Sequence, residues 1–325
     1  MHAKSAIWLV ALALSTLAAD ARAGGDTCYV IEEINVQEGY IPSTAWSDIN
    51  ASGDMVGNYV LDETCTPDLL TMDSPQNGAV YHAATGEIET FEPPEGYVAV
   101  AWPGINDSGV VVGPAWGSSD SGLGSVGFIY EDGVTTVLDN PVEGTTDFAA
   151  TDINNAGTIV GYSWCAESWC GYHSWTVDAK GVVNAVEVEG ADWVLALSIA
   201  NNGTVTGIVG GTDETGLSYG AAFYLDSHGE LSTYATYDED SFYYYYADGV
   251  NSRGQVAGYY YEVDSSDWSV LSTGAFLWDG AEDMEIVEVA GYSDVAFTGI
   301  SASGDISGFA ESGWRGLKLS PTKCP

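Results

Sequence analysis

The chain of 325 residues carries 47 acidic and only 7 basic side chains, giving a formal net charge of −40 at pH 7. So few cations leave no basic patch to displace the counterions of phosphate, which argues against nucleic acid as a partner. The charge favours neutral or cationic partners, or anionic partners that a divalent ion bridges.

The first residues have the pattern of a secretory signal peptide. Lys4 supplies a positive charge, residues 7–17 form a short apolar run, and Ala21-Arg22-Ala23 is typical of a cleavage site. The apolar run is too short to span a bilayer, and acids or turn residues interrupt every later one. We therefore expect removal of residues 1–23, no membrane span, and a single secreted domain over residues 24–325, either extracellular or periplasmic.

One phrase then recurs six times, at intervals of 46 to 56 residues. It consists of a small or acidic residue, an aliphatic residue, usually Asn, two turn residues and Gly, with a second Gly four positions later. A period near 50 residues in a chain rich in Gly and aromatics is typical of radial β repetition. The sequence therefore predicts an all-β fold, a six-bladed β-propeller of four-stranded antiparallel blades. The six glycine pairs are Gly53 and Gly57, Gly109 and Gly113, Gly157 and Gly161, Gly203 and Gly207, Gly254 and Gly258, and Gly304 and Gly308.

Each copy is expected to form four strands joined as a meander. In the third copy, residues 154–157 read as a tight turn that leads into a strand over residues 158–164. A Gly-led phrase with aromatics predicts a third strand, and segments such as 87–91 and 134–138 predict an outer fourth one. The repeated Asn residues are interpreted as turn formers rather than as ligands of a bound group; they are Asn50, Asn106, Asn154 and Asn251.

The two ends of the chain complement each other. After the sixth copy, residues 315–319 supply only a third strand, and residues 28–35 form a strand that belongs to no copy. Pairing of these two segments would close the ring in the last blade and remove two exposed strand edges.

Ring closure also predicts how the five cysteines pair. It brings Cys28 close to Cys324, which predicts one disulfide, and a second is expected between Cys165 and Cys170. An odd cysteine in an exported chain has no partner within the chain, and that residue is Cys65.

The pair of segments 274–278 and 295–308 resembles the extracellular HAF-type repeat. Gly274-Ala-Phe-Leu-Trp278 is followed by an outer strand and then by the phrase that ends at Gly304 and Gly308. Similar pairs cover about residues 43–319, with Gly in place of the eponymous His in every copy. The resemblance implies a propeller-like fold in a secreted bacterial protein, and it brings no catalytic set and no cofactor.

Aromatic residues gather around the loops that join the second and third strands, which vary most in length. Variable loops on a rigid scaffold commonly bind ligands, and Trp and Tyr beside carboxylates suit stacking on sugar rings. Packing of these aromatics between blades is the alternative. The candidate binding residues are Trp116, Trp164, Trp169, Trp268, Trp314, Tyr243, Tyr244, Tyr245 and Tyr246.

Candidate catalytic and metal-binding residues are few. His173 aligns with Phe276, so we expect it in the core. It is the first candidate for a general base, with a hydrogen-bonded structural histidine as the alternative, and His82 is the second candidate. Asp238 and Asp240 offer oxygen ligands for Ca²⁺, with a solvated acidic loop as the alternative.

Three functions remain open at this point. The first is a secreted, monomeric binding module whose ligand is a neutral glycan, or a secreted or cell-surface protein, on the variable-loop face. The second is a carbohydrate-active hydrolase or lyase with its site at the mouth of the propeller. The third is a calcium-loaded structural protein of the cell surface or matrix.

Overall fold

The computed structural model describes residues 9–10, 20–22, 27–36, 44–60, 75–165, 170–212, 218–235, 241–264, 266–280, 284–310 and 315–324. Within these ranges every regular element is a β-strand. No helix long and apolar enough to cross a membrane occurs in this part of the chain. The fold is therefore all-β, as the alternating sequence predicts.

The strands follow the repeats. Two short strands, β1 (Leu9–Val10) and β2 (Asp20–Arg22), come first, followed by β3 (Thr27–Glu33). The first repeat forms β4 (Thr44–Ile49), β5 (Met55–Val60), β6 (Gln76–His82) and β7 (Glu87–Phe91). The second forms β8 (Ala99–Val100), β9 (Gly104–Ile105), β10 (Val111–Trp116), β11 (Ser125–Glu131) and β12 (Val134–Val137). The third forms β13 (Asp147–Ile153), β14 (Ile159–Trp164), β15 (His173–Val177) and β16 (Val183–Ala185).

The later repeats have the same order. The fourth forms β17 (Trp193–Ile199), β18 (Val205–Thr212), β19 (Ser218–Leu225) and β20 (Leu231–Tyr234). The fifth forms β21 (Ser241–Val250), β22 (Val256–Asp264), β23 (Val270–Trp278) and β24 (Glu285–Val289). The sixth forms β25 (Ala296–Ile300), β26 (Ile306–Ala310) and β27 (Arg315–Lys323).

Consecutive strands within a repeat pair antiparallel, except that β8 and β9 both pair with β10. The third repeat is a separate four-stranded sheet. The sequence predicts separate sheets of four strands. The other described strands instead join into sheets of ten and thirteen strands. Single parallel pairs cause part of this joining, since Gln76 pairs with Ala99 and Gly220 with Tyr244. Strand β2 also pairs with both β24 and β3.

The pairing predicted between the chain ends is present. Strand β3 pairs antiparallel with β27 from Thr27 opposite Lys323 to Glu33 opposite Leu317. Because this pairing supplies the fourth strand of the last repeat, two edges that would otherwise offer unpaired backbone groups are covered.

Both predicted disulfides are formed. Cys28 is bonded to Cys324, with a Cα–Cα distance of 5.0 Å, and Cys165 to Cys170, with 5.6 Å. Cys65 lies outside the described residues. Two disulfides fit an extracellular or periplasmic protein, because the cytosol keeps thiols reduced.

The second Gly of each phrase has a packing role. A Cβ atom at Gly258 would overlap the carbonyl oxygen of Tyr246 and the ring of Phe276. The oxygen crowds Gly258 because β21 has a bulge between Tyr246 and Gly249, and the ring crowds it because Phe276 is its partner in β23. The same close approach of ring to Gly occurs at Gly113 with Phe128, Gly161 with Trp175, and Gly207 with Phe223.

We therefore expect Gly258→Ala to lower the free energy of unfolding by about 3 kcal/mol, because the added methyl group has no space between a backbone oxygen and a core ring. Gly86→Ala is the matched control. Gly86 has a positive φ of 72° with open space around it, so this change should cost only about 1 kcal/mol. Urea unfolding of both variants measures the difference, and equal losses would contradict the packing role.

Candidate functional site

The six repeated turns surround a small cavity of about 60 Å³. In Asn50, the side-chain oxygen accepts the backbone N–H groups of Ser52 and Asp54, which fixes the turn as predicted. The side-chain nitrogen of Asn50 donates to the carbonyl oxygen of Asn106, in the next repeat, at 3.2 Å. The same link joins Asn106 to Asn154, Asn154 to Ala200, and Asn251 to Ser301. These amide side chains therefore form hydrogen bonds within their own turn and to the next repeat, and they hold neighbouring repeats together.

Two acids, Asp48 and Asp152, line the same cavity. One oxygen of Asp48 accepts the N–H of Ile105 from the next repeat at 2.8 Å, and Asp152 accepts the N–H of Ile199 at 2.8 Å. Burial raises the pKa of Asp48 to about 6, and burial together with the charge of Asp48 raises the pKa of Asp152. A Cβ at Gly104 would come within 2.5 Å of the Asp152 carboxylate, so the second copy needs Gly at this position. Because each carboxylate accepts an N–H group from the next repeat, these two acids link neighbouring repeats.

A second cavity, of about 190 Å³ and therefore the larger of these two, lies where the inner strands bulge. Five inner strands have a register shift one residue before the repeated phrase. A bulge redirects a side chain out of the regular alternation. The five redirected residues all line the cavity, and they are Ser47, Thr151, Leu197, Asp248 and Thr298. Because the second repeat adds Trp102, Pro114 and Trp116, all six repeats contribute to the wall.

Three of the redirected residues have hydroxyl groups, and each of these already donates a hydrogen bond to a backbone carbonyl oxygen. The Ser47 hydroxyl donates to the carbonyl oxygen of Pro103 at 2.6 Å, and the Thr151 hydroxyl donates to that of Ala196 at 3.0 Å. The hydroxyl of Thr298, in the sixth repeat, donates to the carbonyl oxygen of Trp46, in the first, at 2.7 Å.

Asp248 differs from these residues. Its carboxyl group has no hydrogen-bond partner among the described residues, and burial alone raises its pKa to about 8. A carboxyl group without donors in a poorly solvated place holds its proton at neutral pH. This combination of a cavity, an unpartnered acid and a raised pKa is typical of a functional site.

Aromatic side chains form most of the remaining wall. Tyr246 and Tyr259 stack on each other across β21 and β22, with ring centroids 4.9 Å apart. Burial raises the pKa of Tyr162, Tyr246, Tyr259 and Tyr261, and the negative charge of Asp248 raises each further. These tyrosines therefore remain neutral phenols.

Trp102 has the strained backbone expected of a functional position. Its φ is +44°, in the left-handed region that bulky residues rarely adopt, and 43% of its surface is exposed at the cavity. Its ring packs on Phe309 at a centroid distance of 5.5 Å. This conformation interrupts the inner strand of the second repeat, which is why that strand is divided into β8 and β9.

The structure divides the predicted binding aromatics into several groups. Trp116 and Tyr246 line the cavity, and Trp164 lies one ring further out, with its centroid 5.5 Å from that of Tyr162. Trp268 is 62% exposed, does not line the cavity, and contacts Phe242. Trp169 and Trp314 lie outside the described residues.

The sequence predicts that the run Tyr243–Tyr246 belongs to one binding surface, but these four side chains do not share a surface. Side chains alternate along β21, so Tyr245 points to the other side from Tyr246. Tyr245 is only 4% exposed and packs in the core with Tyr234 and Phe276, so its assignment to the binding surface is wrong. Tyr243 stacks on Tyr245, and Tyr244 contacts Phe242.

The core position predicted for His173 is wrong. His173 is exposed, and a ring nitrogen lies 3.2 Å from the carbonyl oxygen of Cys170. Trp175 takes the place of Phe276, because it faces the second Gly of its repeat, so the sequence alignment is displaced by two residues. His82 lies 3.3 Å from the Glu89 carboxylate and does not line the larger cavity.

The proposed metal ligands Asp238 and Asp240 lie outside the described residues. Among the residues that the structure describes, no group of three or more His, Cys, Asp and Glu side chains is arranged to hold a metal ion.

Comparison with known proteins supports the fold. No protein-family model and no curated protein matches the sequence. A solved gluconolactonase from Xanthomonas campestris is similar, with a TM-score of 0.51 and 11% identity over 98% of this chain and 99% of that one. A protein of unknown function from Dyadobacter fermentans has a TM-score of 0.49 and 10% identity over 94% of this chain and 99% of that one. At these identities the first likeness shows a β-propeller-type fold and says nothing about activity.

Proposed function

We propose that the chain is a secreted six-bladed β-propeller, with β3 completing the sixth blade. Hydrogen bonds join consecutive repeats, including one from the N–H of Val250 to the Ser198 hydroxyl, and the bond from Thr298 to Trp46 joins the last to the first. Both cavities have walls from all six repeats, which supports a ring around a central channel. The predicted signal peptide, the two disulfides and the resemblance to HAF-type repeats support export.

The protein is, in this proposal, a binding module that takes a ring-sized group at the larger cavity. That group belongs to a neutral or cationic glycan or to a secreted protein. The observation that carries the proposal is the unpartnered carboxyl group of Asp248 inside a cavity walled by Trp102, Trp116, Tyr162 and Tyr259. Aromatic faces exclude water and stack on the ligand, while one polar group orients it.

A glycan array with the mature chain identifies the ligand, and calorimetry with Trp116→Ala then tests the site. Loss of the indole face should weaken binding about tenfold. Trp268→Ala is the matched control, because Trp268 is exposed outside the cavity and should leave affinity unchanged. The proposal fails if Trp116→Ala binds as the natural chain does, or if Trp268→Ala has the larger effect.

A carbohydrate-active enzyme is the second candidate, and Asp248 favours it. A carboxyl group that keeps its proton at neutral pH is suited to act as a general acid on a glycosidic oxygen. The described lining contains no second carboxylate, which glycoside hydrolysis by the common two-acid route requires. If the natural chain releases reducing sugar from a glycan and Asp248→Asn abolishes this release, the enzyme proposal replaces the binding-module proposal.

A further inference from the structure

The chemistry of the larger cavity indicates the charge of its ligand. The described lining contains one acid and no Lys, Arg or His. The hydroxyls of Ser47, Thr151 and Thr298 already donate to backbone oxygens. The polar side-chain groups left for a ligand are the Asp248 carboxyl, the phenol groups beside it and the indole N–H groups of Trp102 and Trp116.

A neutral sugar ring suits this inventory poorly. A sugar presents several hydroxyls, and each needs a partner when it is buried. A cation needs a single counter-charge and the faces of aromatic rings, which attract it through their quadrupoles. Two Trp and three Tyr side chains around one carboxylate match the second requirement.

We propose that the group bound in this cavity is an ammonium ion, with the Asp248 carboxylate as its counter-ion and Trp102 and Trp116 among the aromatic walls. The inference rests on the proposed binding function and gives the class of ligand for that same site. Quaternary ammonium compounds and amino sugars both carry such a group.

The surroundings reinforce this preference. The formal net charge of −40 attracts cations from a distance and repels anions. Asp48 and Asp152 follow the lining residues Ser47 and Thr151 directly in the chain and line the neighbouring cavity, so two further acids stand next along the channel.

Binding of a permanent cation should strengthen as the pH rises. Because burial raises the pKa of Asp248 to about 8, its carboxyl is protonated and uncharged in mild acid and becomes a counter-ion in mild base. The described titratable groups that face it are Tyr162, Tyr246, Tyr259 and Tyr261, whose pKa values are raised and which stay neutral over this range. Asp48, with a pKa of about 6, ionises at a lower pH than Asp248 and also adds negative charge as the pH rises.

Calorimetric titration of the mature chain with choline tests the proposal. The matched probe is the neutral alcohol in which carbon replaces the choline nitrogen, since it has the same shape without the charge. Glucosamine and glucose form a second pair, and comparison of the two pairs distinguishes a quaternary ammonium ligand from an amino sugar. The variants are Asp248→Asn and Asp248→Ser, and the latter places at this bulge the residue found in the first repeat. Circular dichroism checks that both are folded.

Choline or glucosamine should bind at least about tenfold more tightly than its neutral partner. Choline, whose charge is permanent, should also bind about tenfold more tightly in mild base than in mild acid. Both Asp248 variants should lose the charge preference and the pH dependence. Equal binding of charged and neutral probes, or an unchanged preference in the variants, overturns the inference. If the neutral probes bind as well and Trp116→Ala abolishes their binding, the proposed function remains and only the inference of an ammonium ligand is refuted. Absence of binding by every ammonium probe also refutes it, while the glycan array decides the function separately.

Discussion

Removal of the Cys28–Cys324 disulfide is expected to lower the free energy of unfolding by about 5 kcal/mol. The bond joins residues 296 positions apart, and the entropy that a cross-link removes from the unfolded chain grows with the length of the closed loop. The bond also fastens β3 to β27, so its loss should loosen this strand pair before the others. Cys165–Cys170 closes only 5 positions, and the same relation gives about 2 kcal/mol.

The double variants Cys28→Ser/Cys324→Ser and Cys165→Ser/Cys170→Ser test this difference directly. Urea unfolding gives the two losses of stability, and amide hydrogen exchange shows which strands open first. We expect faster exchange at Tyr29 and Ile31 in the first variant only, since both lie in the paired part of β3. Two results would show that β3 and β27 stay paired without the cross-link. One is an equal loss of stability in the two variants, and the other is amide exchange in the first variant that accelerates in another repeat before it does in β3.

The sequence predicts those features that the backbone itself requires. A tight turn needs an Asn that accepts N–H groups two and four residues later, and the bulge needs a Gly opposite it, so both recur in the sequence at fixed spacing. The complementary end strands and the disulfide Cys28–Cys324 follow from the same count of strands. Residues that satisfy a local backbone requirement are therefore visible without a structure.

The candidate site depends on how the repeats assemble, which the sequence does not show. Asp248 faces the larger cavity only because a bulge redirects it and five other repeats complete the wall. One signal was present, since the residue before the repeated phrase is uncharged in five copies and acidic only at Asp248. The displaced alignment of His173 arose because Gly171 lies in a loop, whereas the Gly that leads the same phrase in the fifth repeat lies within β23. Spacing alone does not separate these two situations.

Stability is expected to rise as the pH falls from about 8 to about 5. The folded pKa of Asp248 is about 8 and that of Asp48 about 6, both above the ordinary 3.8, and that of Asp152 is also raised. The folded state therefore binds protons more tightly than the unfolded state at these groups. Their contribution to stability is complete below the unfolded pKa and is lost as the pH rises through the folded values.

Asp248 supplies the largest single part of this dependence. A pKa raised from 3.8 to about 8 corresponds to a change of at most about 6 kcal/mol across the full range. Asp248→Asn cannot ionise, so it should stabilise the protein at pH 8 and flatten the rise towards acid. Asp178→Asn is the control, because the backbone N–H groups of Val182 and Lys180 lower the pKa of this exposed turn residue. Asp178 therefore stays ionised from pH 5 to pH 8, and its replacement should leave the slope in that range unchanged. Thermal unfolding at a series of pH values measures both slopes. A melting temperature that increases from pH 5 to pH 8 in the natural chain, or an unchanged slope in Asp248→Asn, would show that Asp248 is ionised and solvated in the folded protein.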